Sequence, residues 1–180
     1  MIGRFITFEG IDGSGKTTQI DFLEKKLQIE DISYFIFREP GGTKLSEGIR
    51  DVLLDSKNIF LSSEAESLLF VAARAQLMKE KIQPALQQGK FVICDRFADS
   101  TVAYQGYGRG LNVEYLEQLN NFGTGSIYPD LTIILDIDPN KAMQRLESTV
   151  PDRMESIGVD FLQKYKMGII KLLRNIQIDV

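Results

Sequence analysis

Residues 10–17 read Gly-Ile-Asp-Gly-Ser-Gly-Lys-Thr and carry the most specific chemistry in the chain. The spacing is G-x-x-x-x-G-K-[ST], with an apolar strand pattern before it and a helical pattern after it. Glycines let the backbone curl so that successive amides converge on phosphate oxygens. The helix N-terminus that follows adds positive potential. Lys16 is placed to reach the β- and γ-phosphates of a nucleoside triphosphate, and the Thr17 hydroxyl to ligate Mg²⁺. The expected triphosphate contacts are Gly10, Ile11, Asp12, Gly13, Ser14, Gly15, Lys16, Thr17 and Thr18. The Lys16 side chain is expected to be exposed in the loop. Asp12 is unusual, because it adds negative charge beside phosphates. A plain glycine-rich turn before a helix would explain the glycines, but not the lysine and threonine at these offsets.

A second set of residues suits an acceptor. Arg38 and Arg96 stand at the C-terminal ends of predicted strands, the edge at which open parallel sheets bind ligands. Planar guanidinium forks there suit phosphate, and ion pairs with Glu39 or Asp95 are the plainer reading. Asp95 itself fits either a water-mediated Mg²⁺ contact or a capping role. Phe70 and Arg74 are four apart and so neighbours on one helix face. They fit a ring that stacks on a base beside a fork of donors, or a core Phe beside a surface Arg. Ala65, Leu68, Leu69 and Ala72 form an apolar stripe that could serve the core.

Composition narrows the chemistry. The 180 residues contain no histidine and one cysteine, Cys94. Ser-His-Asp triads, His-ligated metals and imidazole bases are therefore excluded, as is an internal disulfide. Cys94 reads as a small buried core residue, and the lack of a disulfide fits a reducing cytoplasm. A net charge of −4 argues against binding a nucleic acid polymer or an anionic membrane surface. No apolar run approaches the roughly 18 residues of a membrane span. Residues 1–8 run straight into the glycine loop and leave no room for a signal peptide.

The elements that must hold these groups alternate. Strands are expected at 4–9, 33–37, 91–94, 131–135 and 176–180, and helices at 15–28, 43–54, 63–88, 112–121, 139–146 and 160–174. Ser63 and Glu66 have the spacing of a capping box. Short continuous apolar strands alternating with helices predict an α/β fold of the P-loop three-layer type: a five-stranded parallel sheet, helices on both faces, and a single domain over 1–180.

Six segments taken together then resemble bacterial thymidylate kinases: Phe8-Glu-Gly10, Arg38-Glu-Pro-Gly-Gly-Thr43, Phe70-Val-Ala-Ala-Arg74, Asp95-Arg-Phe97, Ser100-Thr-Val-Ala-Tyr-Gln-Gly106 and Asp152-Arg-Met-Glu155. The likeness runs from residue 2 to about residue 167, in order. It implies an ATP-dependent, Mg²⁺-requiring kinase of thymidine monophosphate (dTMP), built as a homodimer through helix faces. It also implies dTMP contacts at Asp12, Arg38, Pro40, Phe70, Arg74, Arg96, Ser100, Thr101, Tyr104 and Gln105. Within that set Phe70 stacks on thymine, Arg74 bonds its O4, Tyr104 and Gln105 crowd the ribose 2′ side and bond the base, and Asp12 serves the 3′-hydroxyl and the metal region. Thr17 and Asp95 are implied for the metal, and the Glu39–Pro40 bond is implied to be cis. The catalytic set is Lys16, Arg96, Asp12 and a lid arginine. Position 13 is Gly, so the likeness assigns that arginine to the lid, residues 145–155, where Arg153 follows Arg145. This lid is shorter and holds fewer arginines than is usual in the family. Other P-loop kinases of nucleosides or nucleotides share the loop but not the Arg38-Glu-Pro and Phe70–Arg74 set. A nucleotide-dependent switch would bind ATP without transferring phosphate.

Overall fold

A computed structural model describes residues 3–146, 153–154 and 158–174, with the side chains of 173 and 174 excepted. Its strands are β1 (Phe5–Glu9), β2 (Tyr34–Arg38), β3 (Phe91–Asp95) and β4 (Leu131–Ile134). All pair in parallel, in the order β2-β3-β1-β4. Among the described residues the sheet thus has four strands rather than the expected five. The fifth, 176–180, lies outside them. Alternate residues of the central strands feed opposite faces. Val92 and Cys94 join Phe5, Leu77, Met78 and Ile82 on one side, while Ile93 joins Phe8, Ile20 and Leu27 on the other. Both faces are therefore covered, as the apolar strand runs predict. Cys94 is fully buried, and burial pushes its thiol pKa well up.

The helices are α1 (Lys16–Ile29), α2 (Lys44–Leu54), α3 (Ser63–Leu77), α4 (Gln83–Gln87), α5 (Ala98–Thr101), α6 (Val113–Thr124), α7 (Pro139–Leu146) and α8 (Val159–Arg174). A π turn, Met78–Ile82, joins α3 to α4, so the helix expected over 63–88 is one path with a widened turn. Pro84, two residues on, has no amide to donate back into that turn. A second π segment, Val102–Gly108, continues α5 and makes a helix of a stretch that reads as loop in the sequence.

Two expectations about α3 change. Ser62, not Ser63, caps the helix by accepting the Ala65 amide at 3.2 Å, which leaves Glu66 free of capping duty and buried instead. The buried face carries Glu66, Ser67, Val71, Ala73, Arg74 and Leu77, whereas Leu68 is 55% exposed. Of the apolar stripe, Leu68 and Ala72 are exposed and Ala65 and Leu69 half-buried, while two charged residues face inward. On neighbouring α2, Leu45 and Val52 are exposed as well.

From adjacent β1 and β3 the chain departs in opposite directions: β1 leads toward β2, β3 toward β4. The crevice beyond their C-terminal ends is where such sheets bind ligands. The loop 10–15 and Asp95-Arg96 open into it.

Candidate active site

The glycine loop is built as a cradle. Gly13 and Gly15 have φ of +75° and +97°, a region that side chains disfavour. A Cβ on Gly13 would also meet the Ala142 carbonyl oxygen at 2.6 Å, because α7 lies directly over the loop. That contact is a physical reason why no arginine stands at position 13. Lys16 corrects the expectation of an exposed side chain. It is buried, and its ammonium donates to the carbonyls of Gly10 and Ile11, each at 3.1 Å. An ammonium taken out of water needs acceptors, and the curled loop supplies two. Burial and the nearby Arg96 lower its pKa to about 8, against the pull of Asp12 and Asp95.

The cradle lines a cavity of about 770 Å³, which also takes in Arg38, Glu39, Arg50, Asp95, Arg96 and Arg145. The Thr17 hydroxyl lies 3.5 Å from Asp95 Oδ2, and Asp95 Oδ1 is buried without a hydrogen-bond partner among the described residues. A hydroxyl beside an orphaned carboxylate oxygen is a hard-oxygen pair that suits Mg²⁺. Among the described residues no three His, Cys, Asp or Glu side chains cluster to hold a metal by themselves. An ion here would therefore share its ligation with phosphates and water.

Between this cavity and a second one lies a polar knot. Arg96, held at φ +69°, donates to Asp12 Oδ1 at 2.6 Å, to the Tyr165 hydroxyl at 2.8 Å and to Ser100 Oγ at 3.1 Å. Burial alone would raise the Asp12 pKa, but Arg96 and Lys16 outweigh it and hold the carboxyl below its usual value. Burial opposes the charge on Arg96, yet Asp12 and its neighbours drive that pKa well up. Behind the knot, Glu9 accepts from the Phe97 amide and the Ser100 hydroxyl at 2.8 and 2.5 Å. Burial, with Asp99 nearby, raises the Glu9 pKa to about 8.

The second cavity, about 140 Å³, is lined by Asp12, Pro40, Phe70, Arg74, Arg96, Ser100, Thr101, Tyr104, Gln105 and their neighbours. The Glu39–Pro40 bond at its edge is cis. Arg74 is 1% exposed, so it is not a surface residue. It donates to Glu39 Oε2, Asn120 Oδ1, the Phe97 carbonyl and Thr101 Oγ1 at 2.6–3.1 Å. Burial raises the Glu39 pKa against that pull, and Glu39 Oε1 has no partner among the described residues. Arg38 pairs instead with Glu47 at 3.0 Å, half exposed.

Nine of the ten residues expected at dTMP thus line the smaller cavity, while Arg38 lines the larger one only. The two lid arginines part company. Arg145, on α7, donates to the Gly13 carbonyl at 3.0 Å and lines the loop cavity. Arg153 is buried elsewhere: it donates to the Leu53 carbonyl at 2.7 Å and pairs with Glu66 at 2.7 Å. The structure therefore does not bring Arg153 to the phosphate cradle. Its guanidinium settles where a buried carboxylate and a helix C-terminus supply acceptors. Most of the lid, 147–152 and 155, lies outside the described residues.

Sequence reasoning missed Arg50, which lines both cavities and donates to the Pro40 carbonyl at 2.9 Å. Arg50 stands mid-helix, three residues after Glu47, a spacing that reads as an ordinary surface pair and gave no signal of its own. Sequence reasoning also missed Tyr165, buried on α8, whose polar partners all come from distant segments.

Comparison with known proteins agrees with this geometry. The thymidylate kinase family model matches residues 8–180. A thymidylate kinase of Thermoanaerobacter sp. (strain X514) is 51% identical over 97% of this chain and 85% of its own length. That of Caldanaerobacter subterraneus subsp. tengcongensis is 44% identical over 97% and 84%. That of Thermosipho africanus is 48% identical over 93% and 83%. On a family match over nearly the full length, and on relatives this close, the chain belongs to the thymidylate kinase family.

Proposed function

We propose that the chain transfers the γ-phosphoryl group of ATP to dTMP, giving ADP and dTDP on the route to dTTP. The observation that carries this reading is the junction of two cavities, one a phosphate cradle, that share Asp12, Glu39, Arg50 and Arg96. A donor and an acceptor bound on either side would meet at Arg96.

Residues 10–18 bind the ATP phosphates, and Lys16 turns from the loop carbonyls to the β- and γ-oxygens. Thr17 and Asp95 would hold Mg²⁺, which would supply charge neutralisation between the polyanions. A phosphate monoester has a second pKa of about 6, so dTMP is already an anionic nucleophile and needs no general base. Arg96 and Arg38 hold the acceptor phosphate, and Asp12 orients Arg96 and the sugar. Arg145, already over Gly13, screens the transferring group; Arg153 steadies the acceptor side. Positioning and electrostatics therefore supply the rate.

On the base, Phe70 stacks and Arg74 and Gln105 bond the edge, while Tyr104 crowds a 2′-hydroxyl. The enzyme works as one domain with a lid at about 145–155. It acts in the cytoplasm, and no described helix is long and apolar enough to cross a membrane. It pairs as a homodimer through α2, α3 and α6, whose Leu45, Val52, Leu68, Tyr115 and Phe122 are exposed. A coupled ADP-release assay against a panel of nucleoside monophosphates tests the reading. Turnover with dTMP well above UMP and dCMP supports it; ADP release independent of any acceptor refutes it.

A further inference from the structure

We infer that Glu66, behind the acceptor cavity, fixes which end of the Gln105 amide faces the base and thereby sets selection against cytosine. The inference rests on the proposed contact of Gln105 and Arg74 with the base.

Glu66 is 1% exposed. Its Oε1 accepts from Gln105 Nε2 at 2.9 Å, and its Oε2 pairs with Arg153 at 2.7 Å and Arg109 at 3.4 Å. A carboxylate between two guanidiniums can only accept. Gln105 is equally buried and cannot turn its oxygen toward Glu66 without setting two acceptors against each other. Its Nε2 therefore stays on Glu66. Its Oε1 has no partner among the described residues, and the residue lines the cavity. What Gln105 presents to the cavity is thus an acceptor.

Arg74 supplies the complementary half. Among the described residues, four of its five N–H groups are taken by Glu39, Asn120, Phe97 and Thr101, which leaves one donor on Nη1. A donor beside an acceptor matches the O4 and N3–H of thymine or uracil. Cytosine carries an amino group and a bare N3 at those positions, so it is mismatched twice. Arg74 cannot lose its proton, but an amide can flip. Among the described residues, the partner that opposes the flip is Glu66.

The test is Glu66→Gln, which keeps the shape but can donate to Gln105 Oε1 and so permit the flip. The kcat/KM values for dTMP and dUMP, which share one edge, should fall together. That for dCMP should hold or rise, so the dTMP:dCMP preference drops about tenfold. An equal loss on all three substrates would overturn the inference and leave Glu66 a packing residue. A second arm needs no variant: as competitors of the wild-type enzyme, N3-methyl-dTMP should bind at least tenfold more weakly than dTMP. Equal binding of the two would overturn the acceptor orientation. Failure of the wild-type enzyme to phosphorylate dTMP at all would instead sink the proposed function.

Discussion

The cradle and the acceptor cavity hold charge in opposite ways. The cradle is made of consecutive residues: Lys16 bonds to carbonyls five and six positions away. The acceptor side is made of partners from distant segments. Arg74 reaches residues 35, 46, 23 and 27 positions away, and Glu66 one 39 positions away. A local site follows from a short motif. A distributed one exists only once the sheet and helices have assembled, so its residues carry stability as well as function.

That contrast ranks the effects of substitution. Lys16→Ala should lower kcat by about a thousandfold or more, since several kcal/mol of transition-state stabilisation goes. The circular dichroism spectrum should stay that of the wild type. Loss of the fold, or near-normal turnover, would break the contrast from the donor side.

Arg74→Ala should act on the fold first. It strands Glu39, whose other oxygen is already unpartnered, and breaking a buried pair costs about 3–5 kcal/mol. Arg38→Ala, which breaks a half-exposed pair with Glu47, should cost about 0–1 kcal/mol. Urea titration of both variants measures the gap, and equal costs would erase the distinction between the regions. In the surviving folded fraction of Arg74→Ala, the KM for dTMP should rise more than that for ATP.

The lid arginines sharpen the comparison. Arg145→Ala should lower kcat about ten- to a hundredfold at saturating substrates. Arg153→Ala should change kcat less than about threefold while raising the dTMP KM, because it acts through Glu66 and α2. The reverse pattern would return the catalytic role to Arg153.

The smallest effect is a pH slope. With its pKa lowered to about 8, Lys16 loses its proton in the free enzyme as pH rises past that value. Phosphate favours the protonated form, so ATP affinity should be flat below pH 8 and fall by up to about tenfold per unit above it. Calorimetry at pH 8.5 in buffers of different ionisation heat should show proton uptake on binding. No uptake would contradict the assignment.

The same contrast explains what the sequence disclosed. The strand–loop–helix at 5–29 and the alternation of strands and helices follow from local pattern, and so does the cradle. Periodicity finds the apolar face of α3 but not which side the core lies on; Leu68 is exposed, and the inward face carries Glu66 and Arg74. The local spacing of Glu66 fits a capping residue, whereas its partners at 105, 109 and 153 appear only in three dimensions. Tyr165 gave no signal at all, since a tyrosine on an amphipathic helix marks nothing until Arg96 and Ser100 are seen beside it.

The most direct test of the account follows the phosphoryl group itself. The enzyme is given γ-labelled ATP, Mg²⁺ and dTMP, and the products are separated. Label should appear in dTDP in one-to-one ratio with ADP, and none of it with Lys16→Ala. ADP accompanied by labelled inorganic phosphate, with no labelled dTDP, would contradict it.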